Sequence, residues 1–237
     1  MRMPTYLSID VEPDYPPHIN TNHGIEGLRV ICELIKKFNC GATAFVCARF
    51  LNENPGILDI MKGLEIGCHG LSHDNVTLLK PQEFEGQVKE ALKIFGEFGI
   101  KPRGFRAPYA KVSGENLKVI AKYFEYDSSI DFYKFDALGE VNKINKKYNL
   151  NLIEFPLFLG GKSFGVSPKL FNISLHLPVK NRIYFIHPWE FGGVEFSEIA
   201  KRRKNLKYFG YGRENYLKNI ESVLETKPQR IEKLLKN

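Results

Sequence analysis

Two histidines four residues apart provide the clearest chemical signal in the sequence. His69 and His73 enclose Gly70-Leu71-Ser72, and on a helical turn this spacing would place both imidazoles on one face, close enough to share a metal ion. The apolar run that ends at residues 65–68 predicts a strand that delivers the pair at its carboxyl end. Such pairs also occur by chance on exposed helices, so the pair alone does not establish a metal site.

A pair of acids ends the first apolar stretch of the chain. Asp10 and Glu12 are separated by Val11, and on a strand both carboxylates would share one face, with their backbones ~7 Å apart. One acid could bind a cation while the other handles a proton. Solvated acids in a turn are the alternative reading, but the position at a strand end favours a site.

Two further polar clusters contain proline. In Arg106-Ala107-Pro108-Tyr109 the proline sets the turn, the Tyr109 N–H could point into a site, and Arg106 beside an Asp would keep that Asp ionised. His187, followed by Pro188 and Trp189, could donate a proton in a partly apolar setting. The alternatives are an exposed ion pair for Arg106, a packed core histidine for His187, and simple packing for Trp189, the only tryptophan.

Strand and helix signals alternate along the chain. Hydrophobic patterning predicts strands at 6–10, 42–47, 65–68, 104–109, 126–130, 152–155 and 181–187. It predicts helices at 27–38, 57–61, 81–98, 117–124 and 214–226. This alternation favours a parallel sheet with helices outside it. The stretch 133–180 resists interpretation, and we expect either a β-rich excursion or a long loop that forms part of a substrate groove.

The polar motifs fall at the carboxyl ends of predicted strands, where parallel barrels assemble their sites. They are Asp10, His69, Arg106, Asp127 and His187. We therefore predict a barrel in preference to an open sheet.

Composition predicts one globular domain spanning residues 1–237, since 43% of the chain is hydrophobic and barrels of this length are common. The net charge of +7 suits an anionic partner or surface, or serves only solubility. None of the four cysteines has zinc-finger spacing, so buried reduced thiols are expected. Neither a leader peptide nor a membrane-spanning run is recognised. The expected location is cytoplasmic, with peripheral membrane contact if the substrate is membrane-linked.

Taken together, the motifs resemble the polysaccharide deacetylase family, carbohydrate esterase family four, also called the chitooligosaccharide deacetylase homology domain. The resemblance runs from Asp10 to about Glu190. Its elements are Asp10/Glu12, His69-Gly-Leu-Ser-His73, Arg106-Ala-Pro-Tyr109, Asp127-Ser-Ser-Ile130 and Ile186-His187. The acid pair, Asp-Ser-Ser-Ile and His-Pro-Trp-Glu look most like the exopolysaccharide-biosynthesis branch.

The resemblance implies a distorted (β/α) barrel of about seven parallel strands, TIM-barrel-like, with its site at the C-terminal strand ends. It also implies a divalent metal ion, with zinc expected. The resemblance implies that Glu12, His69 and His73 bind the metal ion. It implies that Asp10 is the catalytic base, tethered by Arg106 with support from Asp127, and that His187 is the general acid. The Tyr109 N–H would bind the oxyanion, and Trp189 would lie beside the substrate. The commoner family pattern has two adjacent aspartates, whereas here Val11 separates Asp10 from Glu12, and the longer Glu side chain is expected to reach the ion.

The expected activity is metal-dependent removal of N-acetyl groups from an N-acetylated sugar or polysaccharide. Another carbon–nitrogen amide hydrolase on the same scaffold, such as an allantoinase-like enzyme, is one alternative. A non-catalytic glycan-binding relic is a second. Nucleic-acid binding through the basic run at 201–207 is not favoured, because such runs are usually solvated helix faces. Oligomeric state is not predicted.

Overall fold

Eight parallel strands form one curled sheet in the computed structural model, which describes residues 3–13, 23–191 and 213–236. The strands are β1 Thr5–Val11, β2 Thr43–Val46, β3 Glu65–Cys68, β4 Gly104–Phe105, β5 Tyr126–Asp127, β6 Ile153–Glu154, β7 Leu157–Gly160 and β8 Arg182–Ile186. The helices are α1 His23–Lys37, α2 Ala48–Glu53, α3 Ile57–Ile60, α4 Pro81–Glu97, α5 Gly114–Tyr123, α6 Phe135–Tyr148, α7 Pro168–Ser174 and α8 Arg213–Glu225.

The sheet curls because one extended segment forms both of its ends. The strand order is β6-β5-β4-β3-β2-β1-β8-β7, and β6 and β7 are separated only by Phe155 and Pro156. The first part of this segment pairs with β5 and the second with β8. A bridge between Asp131 and Leu157 spans the change of partner. The predicted distorted parallel barrel is confirmed, and β7 is the strand beyond the seven that were expected.

Amphipathic helices cover the outside of the sheet. Pro81 begins α4, where a missing N–H costs nothing, and the helix buries Phe84, Val88 and Phe95 on one side. Helix α5 begins with a capping box in which Ser113 and Asn116 satisfy each other's backbone N–H groups. Helical periodicity in the sequence predicts both elements because each buries a single stripe.

The amino ends of the strands are closed by the C-terminal segment. The N–H of Gln229 donates to the carbonyl oxygen of Thr5 at 3.0 Å, and the N–H of Ile231 donates to the Thr43 hydroxyl at 2.8 Å. The opposite, carboxyl ends of the strands are therefore the ends that can hold a site.

The expectation of a β-rich excursion or a long loop at residues 133–180 is wrong. Helices α6 and α7 occupy much of the stretch, with β6 and β7 between them, so it is neither a β-rich excursion nor a long loop. Helix α6 buries Val141 and Ile144, but its many polar residues weaken the apolar stripe in the sequence. It ends at Asn149, whose φ of 51° stops the helix.

Several other expectations concern composition and location. All four cysteines are free, with Cys47 and Cys68 buried and the other two partly buried. No described helix is long and apolar enough to cross a membrane. The basic run at 201–207 lies outside the described residues, and the cytoplasmic location stays a prediction.

Candidate active site

A cavity of about 370 Å³ opens at the carboxyl ends of β1, β3 and β8. Polar and apolar side chains from distant parts of the chain share its wall. They are Asp10, Glu12, His69, His73, Tyr109, Ala110, Asp131, Leu157, Phe185, His187 and Trp189. Seven of the nine residues singled out in the sequence therefore meet in one space, while Arg106 and Asp127 lie buried behind it.

The two histidines approach each other through a loop rather than a helical turn. Gly70 and His73 both have positive φ, 80° and 61°, and no helix spans 69–73. The expected helical geometry is therefore wrong, although the imidazole rings lie 5.3 Å apart. A non-glycine residue with positive φ is uncommon, and here it turns the His73 ring back towards His69.

Glu12 brings a carboxylate oxygen to both imidazoles. Its Oε2 lies 3.2 Å from Nε2 of His69 and 2.6 Å from Nε2 of His73. Among the described residues, these three form the cluster of His, Cys, Asp or Glu able to hold a metal ion, with their ligand atoms within 4.8 Å of one another. Cys68 is not part of it, because its thiol is directed to the carbonyl oxygen of Gly70.

The protonation of His69 indicates that this cluster fits a divalent cation. Its Nδ1 lies 2.9 Å from the carbonyl oxygen of Arg106, and a carbonyl only accepts, so Nδ1 carries the ring proton of the neutral imidazole. The lone pair of Nε2 then faces Oε2 of Glu12, and two acceptors need a cation between them. Two imidazoles and one carboxylate form a ligand set typical of catalytic zinc, and a ring N–H donated to a carbonyl is its usual support.

Glu12 is held in its charged form by the surrounding groups. Burial works against the charge, but His187 and the neighbouring imidazoles of His69 and His73 outweigh it and hold the pKa of the Glu12 carboxyl well below its usual range. The second oxygen, Oε1, accepts a hydrogen bond at 2.9 Å from the indole N–H of Trp189. Trp189, expected beside the substrate, thus contacts the candidate metal ligand.

Asp10 has a different partner from Glu12. The Arg106 guanidinium donates to Oδ1 of Asp10 at 2.6 Å, and both side chains are almost fully buried. Oδ2 of Asp10 lies 3.9 Å from Nε2 of His187. The two acids of the Asp10-Val11-Glu12 motif are therefore divided between an arginine and the histidine pair.

Four hydrogen bonds fix the Arg106 guanidinium. Besides Asp10, it donates to the hydroxyl of Ser8 at 2.8 Å, to the carbonyl oxygen of Ser128 at 2.8 Å and to the Ser128 hydroxyl at 3.1 Å. Asp127 makes none of these bonds. It accepts from the Ser129 hydroxyl at 2.6 Å, and that hydroxyl oxygen accepts from the Ala107 N–H at 2.8 Å. Any hydrogen-bonded support that Asp127 gives to Arg106 therefore runs through Ser129 and Ala107.

His187 lies against Trp189 and is paired with Glu190. The rings of His187 and Trp189 stack at 4.9 Å. Nδ1 of His187 lies 3.2 Å from Oε1 of Glu190, and the His187 backbone N–H donates to Oε2 at 3.2 Å. Burial by itself would lower the pKa of the imidazole, but Glu190 above all, then Glu12 and Asp10, raise it to about 10. His187 is therefore protonated at neutral pH.

Tyr109 lies at the mouth of the cavity in a strained turn. Tyr109 and Ala110 have φ of 62° and 51°, and strain of this kind is often found at functional sites. The Tyr109 ring is half exposed and lies 4.6 Å from the ring of His73.

Sequence reasoning missed the residues that hold the site in place. Ser8 could have been found, since it precedes Asp10 by two and so shares its face of β1. Glu190 could also have been found, three residues after His187 on the same turn. Ser128 and Ser129 stand in a quoted motif, but nothing in their spacing indicates which of them contacts Arg106.

The fold and the site define a parallel (β/α)-barrel protein with a candidate metal centre at the carboxyl ends of its strands. A family model described as polysaccharide deacetylase matches residues 18–127, a range that contains His69, His73 and Arg106. This part of the chain, a little under half of its length, is thus similar to the polysaccharide deacetylase family. Asp10, Glu12 and His187 lie outside the matched range, so their place in the site rests on the geometry above.

Known relatives agree with this family. The chain is 26% identical over 117 residues to a peptidoglycan-N-acetylglucosamine deacetylase of Listeria monocytogenes, covering 48% of this chain and 25% of the relative. It is 34% identical over 98 residues to a chitooligosaccharide deacetylase of Azorhizobium caulinodans, covering 39% of this chain and 46% of the relative. The chain thus spans between a quarter and a half of these relatives.

A solved structure supports the fold. The family 4 carbohydrate esterase from Streptomyces lividans, solved in complex with acetate, superposes with a TM-score of 0.54 at 14% identity. The superposition covers 94% of this chain and 87% of that one.

Proposed function

We propose that this protein is a metal-dependent amide hydrolase that removes N-acetyl groups from an N-acetylated sugar or polysaccharide, with zinc as its ion. The observation that carries the proposal is the convergence of Glu12, His69 and His73 beside a separate Asp10–Arg106 pair in one cavity. The named activities of the two relatives, which act on peptidoglycan and chitooligosaccharides, support the choice of an acetamido sugar.

Glu12, His69 and His73 would hold the divalent ion. When bound, the ion supplies Lewis-acid polarisation of the acetyl carbonyl and makes water nucleophilic at neutral pH. The N–H of Trp189 keeps the Glu12 carboxylate turned towards the two imidazoles.

Asp10 acts as general base in this proposal. Arg106 occupies Oδ1, and Oδ2 lies on the His187 side, where it can accept the proton of the attacking water. The guanidinium fixes the orientation of the carboxylate, which leaves Oδ2 to act as the base. The two acids thus have separate tasks because their partners differ.

His187 acts as general acid and donates the proton from Nε2 to the leaving amine nitrogen. Its Nδ1 faces Glu190, which leaves Nε2 as the ring nitrogen on the Asp10 side. The Tyr109 backbone N–H would stabilise the negative charge that develops on the carbonyl oxygen. The products are acetate and a free amino sugar.

The test combines metal analysis with an acetate-release screen. The purified protein is analysed for bound metal and assayed on chitooligosaccharides, peptidoglycan fragments and lipid-linked N-acetylated sugars. We expect one divalent ion per chain and release of acetate that a chelator abolishes. Hydrolysis of allantoin without acetate release would replace the proposal with the allantoinase-like alternative. Glycan binding without hydrolysis, in protein loaded with metal, would support a non-catalytic relic.

A further inference from the structure

A buried pair of carboxyl groups lies behind the site. Asp127 and Glu154 are register partners on the adjacent parallel strands β5 and β6, so their side chains lie next to each other on the same face. Asp127 is completely buried, and the two carboxyl groups are close enough to shift each other's pKa. Neither carboxyl lines the cavity, so neither is placed to touch a substrate.

Each carboxyl has one oxygen with a donor and one without. Oδ1 of Asp127 accepts from the Ser129 hydroxyl at 2.6 Å, and Oε1 of Glu154 accepts from the Ile130 N–H at 3.1 Å. Oδ2 of Asp127 and Oε2 of Glu154 are buried, and among the described residues no donor reaches them. A single proton between these two oxygens would satisfy both.

Charge favours the same arrangement. Two neighbouring carboxylates in a buried site cannot both stay ionised without a large cost. Arg106 is the cation whose field reaches both, and its guanidinium is already paired with Asp10. Burial raises the pKa of Asp127 to about 6, and burial together with the Asp127 charge raises that of Glu154 well above its usual range.

The pair is connected to Arg106 through the turn at residues 127–130. Glu154 holds the Ile130 N–H, and Asp127 holds the Ser129 hydroxyl, whose oxygen accepts the Ala107 N–H. Ser128, which precedes Ser129 in this turn, accepts two of the four Arg106 hydrogen bonds. A displacement of this turn would therefore move Arg106 and, with it, the carboxylate of Asp10.

We propose that Glu154 is a positioning residue that, as a neutral acid, donates its proton to Asp127 and so locks the turn that orients Arg106 and Asp10. The effect on catalysis rests on the function proposed above. The shared proton itself does not, and it can be measured without any substrate.

The first experiment measures the unfolding free energy against pH in wild type, Glu154→Gln and Glu97→Gln. The folded-state pKa of Glu154 lies above its unfolded value, so its stabilisation is complete below the unfolded pKa and is lost as pH rises through the folded one. Wild type and the control Glu97→Gln, which removes an exposed carboxyl, should both lose stability as the pH rises from about 4.5, the ordinary pKa of a glutamate, through the raised pKa of Glu154. In Glu154→Gln the amide N–H₂ donates without titrating, so this slope should be absent.

The second experiment separates positioning from simple structure by kinetics. Glu154→Gln should keep the wild-type kcat. Glu154→Ala leaves Oδ2 of Asp127 without a donor and should lower kcat about 10- to 100-fold with little change in KM, because a small misplacement of a catalytic group costs rates of this order. Equal losses in both variants would overturn the proposal.

Failure of this proposal is distinguishable from failure of the proposed function. If wild type releases no acetate from any substrate, the function fails and the pH slope still decides the acid pair. An identical slope in wild type and Glu154→Gln would overturn the shared proton. The shared proton would also be overturned if Ca²⁺ or Mg²⁺ stabilised wild type but not Glu154→Gln, since a cation would then occupy the place assigned to the proton.

Discussion

Replacing Trp189 with phenylalanine tests whether a hydrogen bond from outside the ligand set tunes metal binding. In the native site the indole N–H donates to Oε1 of Glu12 at 2.9 Å, and both side chains are about 95% buried. Phenylalanine keeps a flat ring beside His187 but has no donor. Glu12 would then be free to rotate away from His69 and His73 before the ion binds.

The expected loss of affinity follows from the strength of that bond. A hydrogen bond to a charged group contributes about 1.5–3 kcal/mol, and each 1.4 kcal/mol is tenfold in affinity. Part of the bond's contribution is present without the ion, so these values set an upper bound. Loss of groups that support metal ligands typically weakens binding by roughly 10- to 100-fold, and we expect Trp189→Phe to weaken zinc affinity within that range.

The assay is competition for Zn²⁺ with a fluorescent chelator of known affinity, with thermal melting to confirm that the variant is folded. Tyr216→Phe is the matched control. It removes the buried hydroxyl of a tyrosine on α8 whose ring packs against Phe191, on the turn that carries Trp189. A zinc affinity within about twofold of wild type in folded Trp189→Phe would refute the reasoning, since that change is far below the energy of a charge-assisted hydrogen bond.

A double-mutant cycle with Glu12→Gln then identifies the route of the effect. If Trp189 acts through the carboxylate, Trp189→Phe should lower affinity much less in the Glu12→Gln background than in wild type. Equal losses in both backgrounds would mean that Trp189 acts on the site by packing alone.

Three further substitutions test the roles proposed for the site. His73→Gln should lose bound zinc by elemental analysis and abolish acetate release, whereas His176→Gln, on the turn after α7, should keep both. Asp10→Asn keeps every candidate ligand, so it should retain zinc while its kcat falls roughly 10²- to 10⁴-fold, the contribution of a general base; full activity would refute that role. In Arg106→Lys the ammonium group cannot reproduce the four hydrogen bonds of the guanidinium. Urea unfolding should therefore show that the free energy of unfolding falls by about 2–3 kcal/mol. Unchanged stability would mean that these hydrogen bonds contribute little.

Local pattern was enough to predict the elements and the end of the barrel at which the site lies. The apolar residues of β1 and the apolar stripe of α4 can each be recognised within a short stretch of the sequence. The alternation of strands and helices along the chain favours a parallel sheet. Asp10, His69, Arg106 and His187 each lie at or just after the carboxyl end of a predicted strand. Since parallel strands end at the same edge, their convergence could be predicted without coordinates.

The partners of these residues could not be predicted in the same way. Trp189 and Glu12 are 177 positions apart, and Arg106 and Asp10 are 96 apart. Which side chain meets which depends on the register between strands and on the chain turns at their ends. The spacing of His69 and His73 predicted a helical turn, whereas positive φ at Gly70 and His73 produced the same proximity by a loop.

The sequence by itself therefore determined the kind of fold, the family resemblance and the set of reactive side chains, because each is encoded in short-range order. Only the tertiary structure decided that Glu12 is shared by two histidines and a tryptophan, that Ser128 rather than Asp127 holds Arg106, and that Asp127 is paired with Glu154. These choices arise from the closure of the barrel. The register between β5 and β6 sets which carboxyl groups lie side by side, and no local pattern carries that information.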